Sequence, residues 1–162
     1  MADEALLAAA KAGDLAAAQQ AREQGASLSA KNAKGFFPLF WASREGHTEV
    51  AEYLLAEGEK EGVGVDDVQD PDNWTALIIA AQEGRVGCAE LLLGAGADIL
   101  HESTSGATPL SMAAQKGQRA VLELFFARLP QGAATVDQTC TVGQASSARF
   151  SVTGAGKVCC DC

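Results

Sequence analysis

GATPLSMAAQKG, residues 106–117, holds a Thr-Pro pair, an apolar run and a closing glycine within twelve positions. Thr108 has the side-chain oxygen that accepts from a free N–H at a helix start. Pro109 suits the first turn, where its missing N–H costs nothing. Gly117 suits the left-handed residue that ends such a helix. The following QRAVLELFFAR (118–128) puts Val121, Leu122, Phe125 and Phe126 on one helical face at i, i+1, i+4 and i+5. The stretch predicts a short helix, a reversal and a second, amphipathic helix.

The same unit recurs upstream. Closing glycines stand at Gly13 in KAGD, Gly46 in REGH, Gly84 in QEGR and Gly117 in QKGQ, spaced 33, 38 and 33 residues. FPLFWA (37–42) and TALIIA (75–80) occupy the place of TPLSMA (108–113), and Val50, Ala51, Leu54 and Leu55 or Cys88, Ala89, Leu92 and Leu93 repeat the apolar stripe. Twelve residues after the glycines come Gly25, Gly58 and Gly96, where the fourth copy has Leu129 before Pro130. No single unit hides its own stripe, so stacking of neighbours must supply the core.

GATPLSMAAQKG and AELLLGAGAD carry a resemblance: residues 4 to 129 look like an ankyrin-repeat protein. The resemblance implies an all-α solenoid of helix-turn-helix repeats, about four of them, with a flexible C-terminal tail. The divisions are a repeat domain over 1–130 and a Gly/Ala/Ser/Thr-rich tail over 131–162, expected to be mostly disordered, with a weak hairpin between TCTV and ARFSV. Within the domain, residues 4–32 form an N-terminal cap and 33–70, 71–102 and 103–130 form repeats. The cap is built of small residues and is expected to keep Lys11, Gln19, Arg22 and Glu23 in water. Departures are visible too. The His of the family's T-P-L-H is replaced by Phe40, Ile78 and Ser111, so polar bonding there gives way to apolar packing or is lost, and Phe37 stands where Thr would cap. The 38-residue spacing places five extra residues between a helix ending at Gly58 and TALIIAA, within EKEGVGVDDVQDPDN (59–73). Such an insertion is either a tolerated surface loop or part of a binding face.

In proteins of this kind, hairpin tips and the inner-helix surface line a concave side that contacts partners. Carried onto this chain, that implies a ladder of Phe36, Trp74, Arg44, Glu45, Gln82, Glu83, Gln115 and Lys116, with Phe36 and Trp74 as exposed aromatic anchors. Phe37, Phe40 and Trp41 are expected in the core between repeats, and Leu39 is expected to face it.

Composition narrows the partner. The 162 residues carry a net charge of −9 with a pI near 4.6, which argues against nucleic-acid binding. Between Glu45 and Asp72 ten acids stand against one lysine, Lys60, which equals the charge of the whole chain. A solvated face is the plainer reading, and steering of a protein with a basic surface is the functional one. DDVQDPDN lacks the spacing of a calcium loop.

No apolar run reaches the length that spans a bilayer, and MADEALLAAAKAG has acids where a signal peptide has bases, so a cytoplasmic protein is expected. No catalytic motif is present: His47 and His101 lack partners in sequence, and GVGVDD and GAGAD read as hairpin glycines rather than phosphate loops. NWT (73–75) fits a glycosylation acceptor only formally. The reading is a non-catalytic adaptor, scaffold or regulator without cofactor or metal. Four of the five cysteines fall at 140, 159, 160 and 162. Cys159, Cys160 and Cys162 are similar to a prenylation terminus, although Asp161 departs from it, and lipidation there would tether the protein to a membrane. The plainer reading gives these thiols no special role. Zinc held by Cys140, Cys159, Cys160 and Cys162 would lack paired C-x-x-C elements.

Overall fold

The computed structural model describes residues 1–67 and 72–128, and the backbone of 149–153 and 157–161. Four helix pairs follow one another: α1 (Ala2–Ala12) and α2 (Leu15–Glu23), α3 (Pro38–Glu45) and α4 (Thr48–Glu61), α5 (Ala76–Gln82) and α6 (Val86–Gly94), α7 (Pro109–Gln115) and α8 (Arg119–Arg128). The first helices α1, α3, α5 and α7 pack in succession as an inner layer, and α2, α4, α6 and α8 as an outer one. This is the all-α solenoid of stacked hairpins that the repeated unit implies.

Local chemistry sets each helix. Asp14, Thr75 and Thr108 accept from the N–H of Ala17, Ile78 and Ser111, whereas α3 begins at Phe37 with no side-chain cap. Ser111 does more than lose a histidine's bond. Its hydroxyl accepts from the Thr108 N–H at 2.8 Å while Thr108 accepts in return at 3.1 Å, a reciprocal capping box. Phe40 and Ile78 at the matching position are buried. Gly13, Gly46, Gly84 and Gly117 turn the chain between helices with φ of 76°, 88°, 70° and 69°.

The core is one cluster running through all four pairs. Leu6 and Ala10, Val50 and Ala51, Leu77 and Leu92, and Val121 and Phe125 are buried throughout, with alanines letting neighbouring backbones approach. The fourth stripe positions, Leu55, Leu93 and Phe126, are half-buried against it. Leu39 is likewise half-buried rather than wholly turned inward.

The insertion is not where the glycine pattern suggests. Helix α4 runs through Gly58 and ends at Gly62, whose φ is 70°. The Val63 N–H reaches the Gly58 carbonyl at 2.8 Å, matching Ala26 to Ala21 and Ala97 to Leu92 at the other outer helix ends. Gly62 is therefore the equivalent of Gly25 and Gly96. Four of the five extra residues lengthen α4 by about one turn, and the fifth lies in the following connection. Arg22, expected in water, is drawn onto this extra turn: its guanidinium pairs with Glu61 and lies 3.9 Å from Glu57, with its side chain only 13% exposed. Lys60 also pairs with Glu57 at 2.5 Å.

In the tail, β1 (Arg149–Thr153) pairs antiparallel with β2 (Lys157–Asp161), Phe150 opposite Cys160 and Ser151 opposite Cys159. RFSVT (149–153) thus pairs with KVCCD (157–161). The proposed TCTV partner lies outside the described residues. No helix among the described residues is long and apolar enough to cross a membrane.

Candidate functional site

Between outer and next inner helices the chain forms short turns whose closure repeats. Asn32 N–H bonds the Phe36 carbonyl and Ser103 N–H bonds the Ala107 carbonyl, each at 2.9 Å, with Gly35 and Gly106 at positive φ. In the third repeat Asn73 takes that place at φ 56°, the one non-glycine residue with positive φ among those described. Asparagine tolerates this region better than other side chains. Adjacent turns are tied: Thr104 N–H and its hydroxyl both donate to the Asp72 carbonyl, Asn73 Nδ2 to the Glu102 carbonyl, and His101 Nε2 to the Asn73 carbonyl.

Phe36 sits at the second turn, stacked on Phe40 with ring centroids 4.3 Å apart and planes 11° from parallel. Trp41 meets both rings edge-on at 5.9 Å. Its own face is flanked by Lys11 at 5.1 Å and Arg44 at 5.2 Å, two cations against one indole. Phe37 and Phe40 are buried as expected. Trp41 is not: it is half-buried because it fills the seam between the cap and the second pair, with bases on its outer face. Phe36 and Trp74 are half-buried as well, not exposed, since each leans on the core. This correction widens the candidate surface, adding Trp41 and Lys11.

The remaining ladder residues occupy equivalent places one repeat apart. Arg44 and Glu45 end α3; Gln82 ends α5 with Glu83 beside it; Gln115 ends α7 with Lys116 beside it. Gln82 Nε2 donates to Glu83 at 3.0 Å. Arg44, Gln115 and Lys116 are exposed, and Glu45, Gln82 and Glu83 partly so.

A second regularity was invisible in sequence. The residue after each closing glycine reaches back one repeat to the carbonyl two residues before the preceding glycine. His47 Nε2 donates to Lys11 at 3.1 Å, Arg85 Nε to Arg44 at 3.0 Å, and Gln118 Nε2 to Gln82 at 3.1 Å. A carbonyl only accepts, so His47 carries its proton on Nε2. These straps satisfy helix-end carbonyls and hold the backbone of the ladder residues Arg44 and Gln82.

Cys88 is buried with its Sγ 3.9 Å from the Ala42 carbonyl. Burial pushes its thiol up to about 11, which leaves it a packing residue and a poor nucleophile. Cys159 and Cys160 lie on β2, while Cys140 and Cys162 are outside the described residues.

The ankyrin-repeat family, described as three copies of the repeat, matches residues 6–103 and again 60–138. An ankyrin repeat-containing protein of Treponema pallidum (strain Nichols) is 36% identical over 104 residues, 64% of this chain and 34% of that protein. Diacylglycerol kinase iota of Homo sapiens is 31% identical over 115 residues, 71% of this chain but 11% of the kinase. Inversin of Gallus gallus is 42% identical over 62 residues, 38% of this chain and 6% of inversin. This chain thus spans between 6% and 34% of these relatives' length. Stacked helix pairs, glycine reversals spaced 33, 38 and 33 residues apart and two overlapping matches between residues 6 and 138 agree, and the chain belongs to the ankyrin-repeat family.

Proposed function

We propose that this chain is a non-catalytic interaction module that holds a protein partner along its inner helices and turn tips. Ankyrin repeats are generally protein-binding modules. The observation that carries the reading here is the Trp41 cluster. A half-buried indole flanked by Lys11 and Arg44, with Phe36 against its edge, offers flat apolar area beside two cations. Interface anchors have this character: large aromatic groups at small entropic cost, rimmed by charge. Trp74 repeats the Phe36 position, and Glu45, Glu83 and Lys116 extend a mixed-charge edge beyond it.

The test compares proteins captured from a lysate by the wild type, by a Phe36→Ala/Trp74→Ala pair and by Arg44→Glu. Matched helical content and melting would establish that each variant is folded. The reading expects a discrete partner to be lost from both variants. Equal recovery by all three would overturn it.

A further inference from the structure

The Gly62–Asp67 connection that follows the extra turn of α4 is tied to the next repeat by Asp66, which accepts from the Asp98 N–H at 2.7 Å, and a groove lies on each of its flanks. One groove of about 500 Å³ lies between α4 and the chain after α2, walled by Leu28, Phe37, Leu54 and Val63. The other, of about 420 Å³, lies between α4 and the end of α6, walled by Leu91 and Val65. Leu55, Val63, Gly64 and Val65 border both and form the wall between them; Lys31 and Asp67 line the first groove, whereas Glu52 and Glu59 are the charged residues lining the second. Gly58 helps to form the floor, since a Cβ there would come within 3.3 Å of the Val63 carbonyl.

The charges around this groove are divided in an informative way. Glu57 and Glu61, on the side of α4 toward α2, are matched by Arg22 and Lys60. Glu52 and Glu59, which border the groove, are exposed and have no ion pair among the described residues. They stand seven residues apart, about 10 Å along the helix, with Leu55 and Ala56 between them on the same face. An acid, two apolar side chains and an acid thus follow one another along a groove with no base on the α6 side.

We propose that this outer groove is a second docking site, distinct from the inner-helix surface, and that its occupant is a basic amphipathic helix of a protein partner. A helix with Lys or Arg seven residues apart and leucines between them matches the Glu52–Leu55–Ala56–Glu59 stripe in both spacing and charge. The insertion then has a use beyond lengthening the helix. It supplies Glu59 and raises the wall that the partner helix lies against.

The probe is a fluorescein-labelled fifteen-residue peptide, KAALLAAKAALLAAK, whose lysines stand seven residues apart with leucines between them on the same face, with EAALLAAEAALLAAE as its acidic counterpart, titrated into the full chain. The basic peptide should bind and the acidic one should not. Glu52→Arg/Glu59→Arg, both exposed positions, should weaken binding at least tenfold, whereas Phe36→Ala/Trp74→Ala should leave it unchanged. Backbone amide shifts should centre on Leu55, Val63, Val65 and Leu91. Undiminished binding by the charge-reversed pair, or shifts confined to Phe36, Trp41 and Arg44, would overturn the proposal. So would a dimer of the free chain that Glu52→Arg/Glu59→Arg dissociates, since the groove would then belong to a second copy.

Discussion

Arg85 Nε donates to the backbone carbonyl of Arg44 at 3.0 Å, forty-one residues earlier in the chain, and Gly46 is what allows the approach. A Cβ on Gly46 would lie 2.9 Å from Arg85 Cδ. At Gly13 the space is taken by the His47 ring, 2.5 Å from such a Cβ. Gly117 has the same left-handed backbone but nothing within 4 Å. Gly117→Ala should therefore cost only the left-handed strain, about 1–2 kcal/mol. Gly13→Ala should cost about 1 kcal/mol more, because the ring must leave its bond to Lys11. Urea unfolding of the two variants checks the difference; equal losses would mean the strap contributes nothing.

Arg22 pairs with Glu57 and Glu61 and donates to the Ala26 carbonyl. Arg22→Met keeps the apolar stem and removes the head. It should lower stability by about 1–2 kcal/mol. The effect should be local as well: amide exchange should quicken most in residues 58–63, where the lengthened α4 loses its anchor.

Cys88 gives a pH signature. Its folded pKa is held at about 11 against an ordinary 9.0, chiefly by burial, with Arg85 opposing. The unfolded chain releases this proton first. The contribution is therefore complete below pH 9 and is lost as pH climbs toward 11, by at most about 2–3 kcal/mol. The difference between wild-type and Cys88→Ala stability should narrow over that window, and a constant offset would show that the thiol does not titrate differently on folding.

Asn73 holds a left-handed turn with φ 56° and donates to the Glu102 carbonyl at 3.2 Å. Asn73→Gly relieves the backbone and loses that bond, so its net effect should be under about 1 kcal/mol. Asn73→Val, β-branched, should lose about 2 kcal/mol or more. Thermal melts rank the two.

The solenoid was legible because its signals are local and recur: Thr108, Pro109 and Gly117 each impose one backbone state, and the stripe at Val121 to Phe126 needs only helical geometry. The insertion was misplaced for a physical reason. GEKEG offers two glycines, and Gly58 keeps the even spacing, but the left-handed stop falls at Gly62, where the Val63 N–H closes the helix end on the Gly58 carbonyl. One clue was available. Gly62-Val-Gly-Val matches Gly25-Ala-Ser-Leu and Gly96-Ala-Asp-Ile in alternating apolar residues. The straps stayed hidden because His47, Arg85 and Gln118 share no chemistry beyond a side-chain N–H. Trp41 was assigned to the core because Lys11, on its outer face, comes from the preceding helix pair, although Arg44, three residues on in α3, was a local clue.

The straps all reach the same way, toward the N-terminus. As the chain leaves the ribosome, α1 and its exposed carbonyl at Lys11 are finished before His47 is made, and the Arg44 and Gln82 carbonyls likewise precede Arg85 and Gln118. Every strap can therefore close on a carbonyl that is already synthesised, and none has to wait for a later repeat.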